Sequence, residues 1–318
     1  MGKRLSDLGF VDLYIGVDYV EVTGVRGLPS PAPIPPGYDE EVALLKAKAQ
    51  EAYEKDREEG YALRIDEQLY RVTYLKEVDD NETYIFRKSQ ILIRPISDLG
   101  FQSEVVEELL SPKNTGLVFI VGAMAAGKTS TLASIAKARA SHLGGIGVAI
   151  ENPPETPLRG RHSKGRFLQV WARRRDGGYK TAIKKALRTG ANMLLLGEIL
   201  DSDAAYEGAL ASVAGHFVAA TMHADSVVEA VQKMESWCGG RAGPRPGELL
   251  ANALSMVIWQ EIEEVAGGVR LRNDVLFVRD HPEVKSKIRT TEGIAELKQD
   301  VHAQAAQLAW MRDSGGEK

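Results

Sequence analysis

The chain is predicted to be an α/β protein, with a mostly parallel sheet in residues 102–318 preceded by a smaller α+β region in residues 1–94. Three observations predict this. Four short apolar runs, at residues 117–121, 146–150, 193–196 and 217–221, alternate with helix-favouring stretches, the pattern of a parallel sheet. Each run is apolar throughout, as strands covered on both faces are. The first run leads directly into Gly122-Ala123-Met124-Ala125-Ala126-Gly127-Lys128-Thr129, and a helix-favouring run follows. That is a complete GxxxxGK[ST] loop in its required strand–loop–helix setting.

The elements before the sheet follow from local pattern. Residues 11–24 alternate apolar and polar (Val11, Leu13, Ile15, Val17), predicting a strand or hairpin. Residues 29–36 hold five prolines, which exclude regular structure and predict an extended surface connector. Residues 39–59 read as a charged helix with Val42, Leu45, Ala49 and Tyr53 on one face. Residues 62–75 and 83–95 read as strands, and residues 95–101 as a short linker starting at Pro95. Beyond the four sheet strands, the glycine-rich residues 239–247 predict a flexible loop. A helix over 248–263 and a hairpin turning at Gly267-Gly268 are expected next. The end of the chain is helical, with Ile294, Leu297, Val301, Leu308 and Met311 as an apolar stripe that makes a core contact.

A length of 318 residues favours two domains. Hydrophobic content of 44% and charged content of 26% are those of a globular protein. The net charge of −4 argues against a nucleic-acid partner. Cys238 is the one cysteine, so no internal disulfide forms, and residues 1–10 lack the apolar core of a signal peptide. Both points fit a reducing cytoplasm. No apolar run approaches the ~20 residues of a membrane span, so membrane association is expected only through partners.

The loop's chemistry calls for a nucleoside triphosphate. A helix N-terminus offers unpaired N–H donors and the positive end of the macrodipole. Gly122 and Gly127 permit the tight turn and close backbone approach. Lys128 would reach the β- and γ-phosphates, and the Thr129 hydroxyl would hold Mg²⁺. The expected nucleotide-binding set is Gly122, Ala123, Met124, Ala125, Ala126, Gly127, Lys128, Thr129 and Ser130. A plain strand-to-helix turn would not need Lys and Thr in register on the helix start. Ala125 and Ala126 stand where many such loops carry Gly and Ser, which reduces backbone freedom at Ala125.

Parallel strands place their C-terminal ends on one edge, where ligands bind. The polar residues after the other strands therefore form a set with the loop. Glu198 ends one strand, in the position of an acid that orients Mg²⁺ through water; a solvated strand-end acid is the plainer alternative. Glu155 lies beyond another strand, after Pro153-Pro154, and is a candidate to polarise the attacking water. Taken alone it reads as a surface acid. His223 at a strand end is a candidate γ-phosphate sensor; His216, seven residues earlier, points to the opposite face. Two histidines without cysteine partners argue against zinc. Arg159, Arg161, Lys164, Arg166, Arg173, Arg174 and Arg175 form a basic stretch. It reads either as a solvated face or as arginines that meet a triphosphate across a subunit boundary.

Together these motifs resemble the secretion-type traffic ATPases of type IV pili and of type II and type IV secretion, over about residues 70–289. The phosphate loop is followed by Ala149-Ile150-Glu151-Asn152-Pro153-Pro154-Glu155, similar to the family's acidic box. Leu187-Arg188 through Gly197-Glu198 resembles its Walker B region, and Gly215-His216 through His223-Ala224 its His box. The resemblance implies a RecA-like ATPase domain after a PAS-like N-terminal domain, with ATP and Mg²⁺ as ligands. It also implies a homohexamer acting on an inner-membrane platform protein. Arg71 and Arg94 resemble the N-terminal arginines that help close the site, and Arg174 and Arg188 are further candidates. Catalysis is expected of Glu198, Glu155, His223 and Lys128. The chain departs from the family pattern at Asn152, Asn192, Leu200 and Ala224, and residues 282–289 only loosely resemble the matching segment of retraction motors. The alternatives are an ATP-held assembly scaffold with little hydrolysis and a RecA-like nucleic-acid translocase.

Overall fold

The computed structural model describes residues 4–65, 68–89, 91, 93–240, 243–265 and 268–315. The chain forms two compact units. The first comprises Met1–Ile91 with Pro153–Pro157, and the second Leu92–Asn152 with Leu158–Lys318.

The first unit contains β1 (Asp12–Ile15), β2 (Val20–Thr23), β3 (Ala32–Pro33), α1 (Asp39–Asp56), β4 (Gly60–Ile65), β5 (Gln68–Lys76) and β6 (Glu82–Lys88). The strands form one sheet in the order β3-β2-β1-β6-β5-β4, antiparallel at every pairing. Phe10, Leu13, Ile15, Tyr84 and Phe86 are fully buried in its core. Helix α1 buries Val42, Leu45 and Ala49, and the Tyr61 hydroxyl donates to the Ala49 carbonyl at 2.8 Å.

Three expectations are corrected in this unit. The proline-rich segment is not wholly irregular, because Ala32 and Pro33 pair with Val22 and Glu21. An edge strand tolerates proline, since its outward N–H has no ladder partner to lose. The strand expected over 62–75 is a hairpin of β4 and β5; Asp66 and Glu67 lie outside the described residues. The strand expected over 83–95 stops at Lys88. Its partner β5 begins at Gln68, and the last rung is Ser89 N–H to the Leu69 carbonyl at 3.0 Å. Of the further residues in that reading, Gln90 and Leu92 lie outside the described residues.

The second unit contains α2 (Ser103–Leu110), β7 (Gly116–Gly122), α3 (Lys128–Leu143), β8 (Gly145–Glu151), β9 (Gly160–His162), β10 (Gly165–Trp171), α4 (Gly178–Ala186), β11 (Met193–Leu196), α5 (Ser202–Val213), β12 (Phe217–His223), α6 (Val227–Cys238), α7 (Pro246–Ala253), β13 (Leu254–Val265), β14 (Gly268–Phe277), α8 (Pro282–Ile288) and α9 (Thr291–Gly315). The sheet order is β14-β13-β7-β12-β11-β8-β10-β9. The pairings from β13 to β10 are parallel, and the outermost strands β14 and β9 are antiparallel. Leu117, Phe119 and Val121 of β7 join a core with the buried faces of α4 to α7. Val118 and Ile120 alternate to the other face and are equally buried. The four apolar runs are thus four adjacent, doubly covered strands. Ile294, Leu297 and Val301 of α9 enter the same core, as the C-terminal stripe predicts.

Two readings change here. The helix expected over 248–263 ends at Ala253, and the chain continues as β13. Met256, Val257 and Ile258 are buried beside β7; this is an apolar, β-branched run of the kind that fills an inner strand. Beyond it, residues 260–265 pair as a strand with β14 alone among the described residues. Gly267 of the expected turn lies outside the described residues, as do Arg241 and Ala242 of the glycine-rich loop. The basic stretch conceals β10, which pairs in parallel with β8. Its alternation (Phe167 inward, Arg166 and Leu168 outward) is masked by charge.

Candidate functional site

The parallel strands bring four strand ends to one edge. Gly122 of β7 pairs with His223 of β12, and Leu196 of β11 pairs with Ala220 and Ile150. The phosphate loop, His223, Glu198 and Glu151 therefore occupy neighbouring positions at that edge. The loop turns sharply, with the Ala126 N–H directed to the Ala123 carbonyl at 3.3 Å. Ala125 takes φ +61° and Gly127 φ +79°. Ala123 and Met124 are exposed, while Ala126 and Lys128 are buried. Thr129 and Ser130 lie half-buried in the first turn of α3.

Lys128 is the centre of a polar chain. Its ammonium donates to the carbonyls of Gly122 at 3.0 Å and Ala123 at 2.6 Å, and it lies 3.2 Å from Nδ1 of His223. An ammonium only donates, so Nδ1 accepts and the ring proton sits on Nε2. That Nε2 faces Oε1 of Glu198 at 3.0 Å. Burial pushes the Lys128 ammonium below its usual pKa, against the pull of the Glu198 carboxylate. The structure thus brings together three of the four expected catalytic residues.

Glu198 Oε1, 3.0 Å from His223 Nε2, is buried yet accepts no hydrogen bond among the described residues. A buried carboxylate oxygen left so is costly, and a cation or its bound water would satisfy it. Glu198 carboxylate and Thr129 hydroxyl are hard oxygen donors of the type Mg²⁺ takes. These residues therefore fit that ion.

The supporting residues are ones that strand-end reasoning does not find. The Thr221 hydroxyl donates to the Gly197 carbonyl, joining β12 to the turn that carries Glu198. Gln169 on β10 donates to the buried Glu151 at 2.6 Å. Lys233 on α6 donates to the His223 carbonyl at 3.0 Å. Gln260 on β13, wholly buried, donates to the Ala126 carbonyl of the loop. Only the Lys233 helix carried a local signal, its Ser226-Val227-Val228-Glu229 capping box.

The remaining candidates are placed as follows. His216 precedes β12, at the other end from His223, about 20 Å away along the strand, and its Nδ1 lies 3.2 Å from the Ala211 carbonyl. It does not join the Lys128 group. Glu155 belongs to the first unit, where its Oε1 pairs with Arg71 at 3.1 Å and its carbonyl accepts from the Ser89 hydroxyl at 2.6 Å. Both residues line a cavity of about 160 Å³ with Arg87, Lys88, Ser89 and Pro154. Arg174 stands exposed in a short 3₁₀ turn after β10, at the loop's edge of the sheet. Arg188 is exposed before β11, at the opposite edge. Arg94 is exposed in the second unit, ahead of the 3₁₀ turn Ile96–Leu99.

A mixed α/β sheet with a phosphate loop and an acid–histidine–lysine chain at its strand ends defines a nucleotide-binding class of protein. The particular family is a narrower matter: the model described as Type II/IV secretion system protein matches residues 84–304, and this chain belongs to that family. It is similar to the uncharacterized protein YggR of Escherichia coli, 29% identical over 165 residues that cover 50% of this chain and 48% of YggR. It is also similar to the type IV pilus assembly ATPase TfpB of Acinetobacter baylyi, 24% identical over 58% of this chain and 30% of TfpB. The chain thus spans less than half the length of these two relatives. Among solved structures, that of the pilus retraction motor PilT with bound ADP matches with a TM-score of 0.75. That match has 18% identity and covers 95% of this chain and 87% of PilT, which establishes likeness of fold.

Proposed function

We propose that this protein is an ATP-hydrolysing motor of a pilus or secretion machine, acting as a homohexamer with a RecA-like second unit and a PAS-like first unit. The observation that carries the proposal is the Lys128–His223–Glu198 chain on a complete phosphate loop. Family membership supports it. Lys128 would leave the loop carbonyls for the β- and γ-phosphates, and the loop N–H groups would receive the remaining oxygens. Glu198, with His223 at its side, and Glu155 would be the acids that act on the attacking water. Thr129 and Glu198 would hold Mg²⁺, which neutralises phosphate charge when bound. Arg71, Arg94, Arg174 and Arg188 are the candidates to supply further positive charge from a neighbouring subunit. The motor would work at the cytoplasmic face of the inner membrane through a platform protein. Among the described residues, no helix is long and apolar enough to cross a membrane.

Steady-state phosphate release and equilibrium nucleotide binding test this. Glu198→Gln is expected to lower turnover at least ~100-fold with ATP affinity retained, and Lys128→Ala to lose both. Turnover of Glu198→Gln within a few-fold of wild type removes Glu198 from catalysis. The Arg71–Glu155 ion pair favours a second reading, an ATP-held scaffold with little turnover, because it engages the candidate water-polarising acid. Clear phosphate release lost on Lys128→Ala excludes that scaffold.

A further inference from the structure

The phosphate loop has an alanine where its backbone needs a glycine. Ala125 is the third residue of the turn Ala123–Ala126 and takes φ +61°. A positive φ at that position is a glycine or asparagine preference, and a Cβ in the left-handed region crowds the following carbonyl oxygen. Such a conformation persists only where the surroundings over-determine it.

The surroundings that do so belong to β13. The Gln260 side chain is wholly buried and donates to the carbonyl of Ala126, the residue next to Ala125. A carbonyl only accepts, so the amide nitrogen must be the atom facing it. The other amide atom, Oε1, is buried without a hydrogen-bond donor among the described residues, so this side chain is not there to satisfy itself. The β13 backbone also abuts the loop directly: a Cβ on Gly122 would strike the Gln260 carbonyl. A Cβ on Gly127 would sit 3.2 Å from Ile262 Cδ1 and 3.4 Å from Gln260 Nε2. One strand thus backs the loop at its first glycine, its Ala126 carbonyl and its last glycine.

We propose that Gln260 is a positioning residue of the phosphate-binding loop, pinning the Ala126 carbonyl and so holding Ala125 in the left-handed conformation that a glycine would adopt unaided. The inference rests on the nucleotide reading above and deepens it. With the tie removed, the loop relaxes at Ala125, its N–H groups leave the phosphate position, and binding must restore them. With glycine at 125 the conformation has no steric penalty, and the tie matters less.

The test is a double-mutant cycle read by equilibrium titration of a fluorescent ATP analogue with Mg²⁺. Gln260→Met keeps the side chain's length and removes the donor. It is expected to weaken affinity about tenfold, which corresponds to ~1.4 kcal/mol. In the Ala125→Gly background the same substitution is expected to cost threefold or less. An unchanged affinity in Gln260→Met, or an equal loss in both backgrounds, overturns the proposal. Gln260→Ala repeats the cycle should the Met variant be unstable by thermal melting. If the wild-type protein binds no nucleotide, the triphosphate reading falls, and amide exchange of residues 123–127 in the nucleotide-free protein then judges Gln260 alone. Faster exchange in Gln260→Met supports the tie, and unchanged exchange refutes it.

Discussion

Lys128 illustrates how a buried cation is held by its own loop. A buried ammonium without partners is costly, and here two loop carbonyls and the His223 ring share its charge. His223 therefore touches both the candidate phosphate-binding cation and the candidate catalytic acid. His223→Ala is expected to reduce ATP turnover about tenfold to a hundredfold while nucleotide affinity stays within threefold, because Lys128 keeps its loop contacts. Phosphate-release kinetics beside equilibrium binding check this; a loss of affinity equal to the loss of turnover would make His223 a binding residue only. The residue scale was also where the sequence was most readable. The types and spacing of Gly122, Gly127, Lys128 and Thr129 carry their own chemistry. Glu198 and His223 follow from strand polarity. Gln260 was hidden because its function depends on a neighbour 134 residues away in the chain.

At the scale of elements, α6 shows how a helix start supports the site. Ser226 caps the helix by accepting from the Glu229 N–H at 3.1 Å, and Glu229 accepts from the Asp225 N–H at 2.6 Å. Glu229 also pairs with Lys233 at 2.6 Å, and Lys233 holds the His223 carbonyl. The hydrogen bond from Lys233, then that from the Asp225 N–H, holds the Glu229 carboxyl below its usual pKa. The unfolded chain consequently binds this proton more readily than the folded one. The contribution of Glu229 to stability is complete above about pH 4.3, the unperturbed glutamate value, and is lost as pH falls through the depressed folded value. Urea midpoints for wild type and Glu229→Ala are expected to differ at pH 6 and to converge on acidification towards pH 3. A constant difference would show that the cap acts without its charge. The element reading failed at β13 and β10 for opposite reasons. Residues 254–259 are apolar on both faces, which periodicity alone does not assign to strand or helix. Residues 165–168 alternate as a strand should, but Arg166 stands outward among the neighbouring arginines and reads as part of a basic surface, while Gln169 puts a polar side chain on the inward face.

For the whole molecule, the open question at this scale is the number of chains per working site. The candidate arginines are distributed among Arg71 in the first unit and, in the second, Arg94 ahead of the 3₁₀ turn Ile96–Leu99, Arg174 at the loop's edge of the sheet and Arg188 at the opposite edge. A residue at the opposite edge cannot serve the loop of its own sheet, so Arg188 requires a second subunit to act on a phosphate. Native mass measurement of the full chain with Mg²⁺ and a non-hydrolysable ATP analogue is expected to give a species of six subunits. A monomer under the same conditions would exclude the ring and confine catalysis to residues of one chain.

The sequence by itself determined the phosphate loop, the four buried strands and the family, because each rests on local signals: a glycine-framed loop, uninterrupted apolar runs and short motifs in fixed order. Only the tertiary structure decided that β13 backs the loop and that Glu155 pairs with Arg71. These depend on which strands become neighbours and on where each one stops. Strand order is set by packing the whole sheet between its helices, and no short stretch of sequence encodes that.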